Sequence, residues 1–138
     1  MTPNEIQIPR KLTTQLLHLA QLSPEFEICG LIGSQNGLPT TCYPITNQAK
    51  HARQRYLLDA TGQIAAMASM RGSGEELFAI YHSHPTAPAQ PSSTDLAMAT
   101  YPDALYLIIS LNTKGILEMR GFKIDGKNAQ EIPLTLNG

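Results

Sequence analysis

The chain reads as a mixed α/β domain: one mixed β-sheet flanked by about three helices. Three observations predict this. Residues 77–81 and 104–111 are apolar runs rich in β-branched and aromatic side chains, and the second is apolar on both faces, as a central strand is. Segments beginning near Pro9 and Asp59 instead carry apolar residues at helical spacing. Strand-like and helical segments also alternate along the chain, so helices fall against a sheet and not into a separate block.

Each element has its own local cause. Ile6 and Ile8 precede Pro9, whose fixed φ suits the opening of a helix; Leu12, Leu16, Leu19 and Ala20 then recur with helical period as far as Ser23-Pro24. Glu27-Ile28-Cys29-Gly30-Leu31-Ile32-Gly33 is a short apolar strand closed by the turn-prone pair Asn36-Gly37. Its hairpin partner spans 40–46, and 53–58 adds another strand. Asp59 caps a second helix that turns Ile64, Met67, Ala68 and Met70 to one face and ends at Gly72-Ser73-Gly74. The strand at 77–81 follows, then a loop at 85–91 with three prolines and no charge, then a helix opened by Ser92. Strands at 104–111, 116–124 and 131–136, joined by turns at Lys114-Gly115 and Asp125-Gly126-Lys127, complete the sheet.

At 138 residues the chain forms a single domain, 1–138, long enough to bury about two-thirds of its unfolded surface without a disulfide. A net charge of −1 with interspersed signs gives no footprint for nucleic acid or a membrane surface. Apolar runs are far shorter than a membrane span, and the first residues lack the basic and apolar regions of a signal peptide. Cys29 and Cys42 have no framework spacing, which fits a reducing cytoplasm.

The chemistry gathers at His82-Ser83-His84-Pro85 and the later Ser92 and Asp95. Side chains two apart on a strand leave the same face roughly 6.6 Å apart, close enough for two imidazoles to converge on one ion with bonds of about 2.0–2.1 Å. Two imidazoles and a carboxylate suit zinc, and three protein ligands leave a position open, the mark of a catalytic site and of hydrolysis. Asp95 has a second reading. Ser92-Ser93-Thr94-Asp95 has the Ser-x-x-acid form of a helix cap, and the two readings are compatible. His18 and His51 read as core or surface residues. A hydrolytic site also needs a carboxylate to take the proton of water. Glu27, opening an apolar strand whose Gly30 and Gly33 admit close backbone approach, fits this role best; Glu25 competes on spacing, while Glu75 and Glu76 read as surface.

Glu27-x-Cys29-Gly30-Leu31-Ile32-Gly33, His82-Ser83-His84-Pro85 and Pro91-Ser92-x-x-Asp95 together resemble the signature of the JAMM (MPN-plus) metalloproteases. Pro44-Ile45-Thr46-Asn47 and the segment from Tyr101-Pro102 to Leu111 also resemble family elements. The resemblance implies a cytidine-deaminase-like mixed sheet, Zn2+ on His82, His84 and Asp95, and Glu27 activating the water. It further implies that Ser92 donates a hydrogen bond to the developing oxyanion. The substrate it implies is a peptide or isopeptide bond after the C-terminal glycines (Gly-Gly) of a ubiquitin-like or sulfur-carrier protein; the chain's length is nearest that of small bacterial-type members. One departure keeps Glu25 open: Pro24 precedes Glu27 by three positions, where many relatives have a single intervening residue. Two other classes compete. A metal-free MPN-type scaffold would act by binding partners, but such relatives lose ligands that this chain retains. A zinc nucleoside deaminase needs H-x-E and P-C-x-x-C, and neither occurs.

Overall fold

The computed structural model describes residues 5–112 and 118–137. In chain order the elements are β1 (Ile6–Pro9), α1 (Arg10–Gln21), β2 (Cys29–Gln35), β3 (Leu38–Ile45), α2 (Ala60–Gly72), β4 (Glu76–His84), α3 (Ser93–Met98), β5 (Leu105–Ser110), β6 (Glu118–Asp125), β7 (Asn128–Ile132) and β8 (Leu134–Asn137). Six strands form a mixed sheet in the order β3-β2-β4-β5-β6-β7, in which only β4 and β5 run parallel. The mixed α/β class with three helices is the one the sequence predicts.

Every residue of β5 is buried, consistent with its continuous apolar run. Asn36 and Gly37 both take positive φ (52° and 79°), the backbone of a tight hairpin turn between β2 and β3. Apolar α1 residues Leu12, Leu16 and Ala20 pack with Ile32, Tyr81, Leu107 and Ile109 on one face of the sheet. On the other face Ala66 and Met70 of α2 pack with Leu31, Ile80, Tyr106 and Ile108, and Leu96 of α3 joins them.

Four expectations are corrected. Segment 53–58 is not a strand: it leaves a turn through 51–54, and its ladder pairing with the chain after β3 is an isolated bridge, Asn47 to Leu58. The segment expected at 131–136 is divided. Pro133 lacks an N–H and falls between β7, which ends the six-stranded sheet, and β8, which pairs in parallel with β1 as a separate ribbon. In α2 the buried stripe passes through Ala66 and Met70, leaving Ile64 70% exposed and Ala68 also in solvent. Glu75 is buried, and its carboxylate receives the hydroxyls of Thr40 and Tyr43. The turn expected at Lys114-Gly115 and the first residues of the strand expected from 116 lie outside the described residues.

Candidate metal centre

β4 runs out from the core into His82-Ser83-His84. Alternation sends His82 and His84 to the face that carries Ile80, beneath α2 and α3, and sends Ser83 to the other. Across from them lies the start of β2, in a register that pairs Cys29 with His82 and Gly30 with Tyr81. Beyond Cys29 the pairing continues through Ser83. The Ile28 N–H donates to Ser83 Oγ at 2.8 Å, and the Ser83 N–H donates to the Ile28 carbonyl at 3.1 Å. One step further, the same register sets Glu27 opposite His84. A glutamate remote in sequence thus shares a sheet face with both histidines.

The third partner comes from the loop and helix that follow. His84 Nδ1 donates to the Pro88 carbonyl at 2.8 Å, the Ser110 hydroxyl donates to the Ala87 carbonyl at 2.7 Å, and Ala89 is fully buried. Those anchors, with three prolines, hold the loop and deliver Ser92 to the N-cap of α3. Asp95 N–H donates to Ser92 Oγ at 3.0 Å and the Ser92 N–H donates to Asp95 Oδ2 at 2.9 Å, a complete capping box. The cap and the histidine cluster are one arrangement, because that same Oδ2 lies 3.1 Å from His82 Nε2 and 3.0 Å from His84 Nε2.

The two Nε2 atoms are 3.2 Å apart, so three potential donors form a nearly equilateral triangle, all on buried residues. Tetrahedral zinc with bonds of about 2.0–2.1 Å requires ligand separations of about 3.3–3.4 Å, close to these edges. The tautomer argues the same way. A carbonyl only accepts, so His84 Nδ1 bears the proton; in the neutral ring Nε2 is then a bare lone pair aimed at a carboxylate oxygen. Such a contact is favourable only with a proton or a metal ion between its members, and a divalent metal would serve all three edges of the triangle at once. Among the described residues this is the cluster of histidine, cysteine and acidic groups with ligand atoms near enough to hold an ion. Neither thiol joins it: Cys29 Sγ donates to the Ile45 carbonyl, and Cys42 contacts the Tyr81 hydroxyl.

Electrostatics follow from burial and from this triangle. Burial pushes Glu27 up to about 8, against the attraction of His84 and with the repulsion of Asp95. Its Oε1 is buried without a partner. Burial holds His82 below its ordinary value despite Asp95, while for His84 the Asp95 carboxylate and the Pro88 carbonyl outweigh burial and raise it. For Asp95 burial works upward, but the two imidazoles prevail and hold it well below the usual carboxylate range. Glu25, the rival on spacing, is exposed and lies 3.7 Å from Arg53.

Three residues around the cluster have roles that the motifs did not give. Tyr56 stacks on His82 with centroids 4.4 Å apart and planes 24° apart. Ser83, the spacer between the histidines, fastens the strand that carries Glu27. Asn47 uses its whole amide. Its Nδ2 donates to the carbonyls of Glu27 (3.0 Å) and Arg55 (3.1 Å), and its Oδ1 accepts from the N–H groups of Ala49 (2.9 Å) and Leu57 (3.0 Å). An Asn after an apolar strand and before a segment without periodicity is the available signal for such a clasp.

A mixed sheet with helices on both faces and a buried His-His-Asp cluster at the end of an inner strand defines an α/β domain with a cluster suited to a metal. Residues 9–122 match the family described as prokaryotic homologs of the JAB domain, and the chain belongs to that family. It is 35% identical over 112 residues to the CysO-cysteine peptidase of Mycobacterium tuberculosis, covering 80% of this chain and 76% of the relative. It is 32% identical to the desampylase of Haloferax volcanii over 63% of this chain and 64% of that protein. Among solved structures, a Desulfitobacterium hafniense protein superposes with a TM-score of 0.85 at 29% identity, over 96% of this chain and 92% of its own. A JAB1/MPN domain protein from Archaeoglobus fulgidus, 16% identical, shares the fold with a TM-score of 0.60 over 96% and 98% of the two chains. Among the described residues no helix is long and apolar enough to cross a membrane.

Proposed function

We propose that this chain is a zinc-dependent metallopeptidase that hydrolyses the peptide or isopeptide bond after the C-terminal glycines of a ubiquitin-like or sulfur-carrier protein, and that it works in the cytoplasm. One observation carries the reading. The His82–His84–Asp95 triangle adjoins a pocket of about 100 Å³ whose wall includes Glu27, His84 and Ser92. The names of the mycobacterial and haloarchaeal relatives support the substrate class.

In this reading His82 Nε2, His84 Nε2 and Asp95 Oδ2 hold the ion. The chemistry that zinc supplies when bound is Lewis acidity, which acidifies a water to a pKa of about 7 and polarises the scissile carbonyl. Glu27 accepts a proton from the attacking water and returns it to the leaving amine, a role suited to a carboxyl whose burial keeps its affinity for protons near neutrality. Ser92 Oγ accepts from the helix, so its own O–H is free to donate to the oxyanion. The tight hydrogen bonds around Pro88, Ser92 and Ile28 fix these groups before substrate arrives.

The test is cleavage of carrier–cysteine and ubiquitin-linked substrates by zinc-loaded protein. Chelator-sensitive release that Glu27→Gln abolishes, with zinc retained, is the expected result. Cleavage of neither substrate, or full activity in Glu27→Gln, refutes the assignment.

A further inference from the structure

The mechanism above makes no use of the strongest charge on the pocket wall. Arg53 and Gln54 line the same pocket as Glu27, His84 and Ser92, and the loop that closes it on the other side is uncharged. We propose that Arg53 reads the leaving side of the substrate: its guanidinium receives a free α-carboxylate, so the site favours release of a terminal amino acid over opening of an isopeptide bond to a lysine side chain. This rests on the hydrolytic reading and refines it.

The backbone ties the turn that carries Arg53 to Glu27. Glu27 N–H donates to the Ala52 carbonyl at 2.8 Å, so the residue beside Arg53 is bonded to the main chain of the group that protonates the leaving amine. The turn is locked by the Gln54 and Arg55 N–H groups, which both donate to the His51 carbonyl, and by the Asn47 clasp. The guanidinium itself lies 5.4 Å from the centre of the Phe26 ring and 3.7 Å from Glu25. Both members of that ion pair are about two-thirds exposed (68% and 66%), so it is a weak restraint. Five donors in a planar fork leave an edge for a second carboxylate.

Substrate chemistry then discriminates. Hydrolysis forms a bond from the water oxygen to the acyl carbon and breaks the C–N bond, and the nitrogen departs with the proton from Glu27. In a terminal residue that nitrogen is two bonds from a carboxylate carbon. In an isopeptide it is a lysine Nζ at the end of a four-carbon stem, with no anion near it. A volume of about 100 Å³, roughly three waters of liquid, has room for one small residue.

The experiment uses a synthetic peptide ending Gly-Gly-Ala as the free acid and as its C-terminal carboxamide. Binding of each is measured by NMR titration to zinc-loaded Glu27→Gln, with and without Arg53→Gln; Arg53 is exposed, so the variant is expected to fold. The free acid should bind at least tenfold more tightly, and Arg53→Gln should bring the two within twofold. Equal binding, or a preference that survives Arg53→Gln, overturns the proposal. Parallel cleavage assays with the wild-type protein separate the two readings. Equal cleavage of acid and amide leaves hydrolysis standing and removes the carboxylate role. Arg53-dependent binding with no cleavage of these or of carrier-linked substrates removes hydrolysis and keeps the role.

Discussion

Replacing Glu27 by glutamine keeps the shape of a buried side chain and removes its ionisation, which makes its pH signature a direct probe of the site. In the folded chain burial raises this carboxyl from an ordinary 4.5 to about 8. Between those values the native state retains a proton that the unfolded chain releases, so stability present below pH 4.5 is lost as pH rises to 8. At about 1.36 kcal/mol per pH unit the loss reaches about 5 kcal/mol. The assay is urea denaturation of chelator-treated protein from pH 4.5 to 9, with the variant as reference so that other titrating groups cancel to first order. Wild type should lose ground steadily against Glu27→Gln and then level off above pH 8. A difference independent of pH would mean that Glu27 is solvated or paired in the metal-free fold, and the argument from burial would fail.

Other substitutions address the neighbouring parts. His82→Ala should abolish stoichiometric zinc binding, read by elemental analysis of dialysed protein. Ser92→Ala should cost about 1 kcal/mol through loss of the cap and about 10²–10³-fold in kcat through loss of the donor. Ser92→Asp should restore the cap without the rate, so stability and kcat measured together separate the two roles. Asn47→Ala strands four backbone groups and should cost about 2–4 kcal/mol in denaturant melts. At Gly30 an added Cβ would meet the Tyr81 ring and the Tyr43 carbonyl oxygen, the latter at 2.5 Å; Gly30→Ala should therefore cost about 3 kcal/mol or more.

Much of the sheet was legible because its signals are local. The apolar run of β5, the Asn36-Gly37 turn and the Asp59 cap each need only adjacent residues, and the two-residue phase of His82 and His84 requires only that β4 be a strand. The Ser92–Asp95 spacing likewise announced a capping box. What could not be read depends on partners remote in the chain. Nothing near Glu75 reveals that Thr40 and Tyr43 will supply hydroxyls to its buried carboxylate. The division at Pro133 sends β8 to β1, a pairing across nearly the whole sequence. Segment 53–58 carries strand-like Tyr56, Leu57 and Leu58, yet its Arg55 carbonyl and Leu57 N–H pair with the side-chain amide of Asn47 and not with a neighbouring strand. The position of Glu27 against His84 required the β2–β4 register, which the sequence could supply only through the family resemblance.

One carboxyl oxygen both closes the first turn of α3 and faces the two imidazoles. Because the Ser92 amide keeps hold of that oxygen, a chelator would empty a cage that stays standing. Reloading should then proceed at the speed of ion capture with little rearrangement of the chain. The same economy exposes residue 95: a change there would remove a proposed ligand and unpin the helix in one stroke.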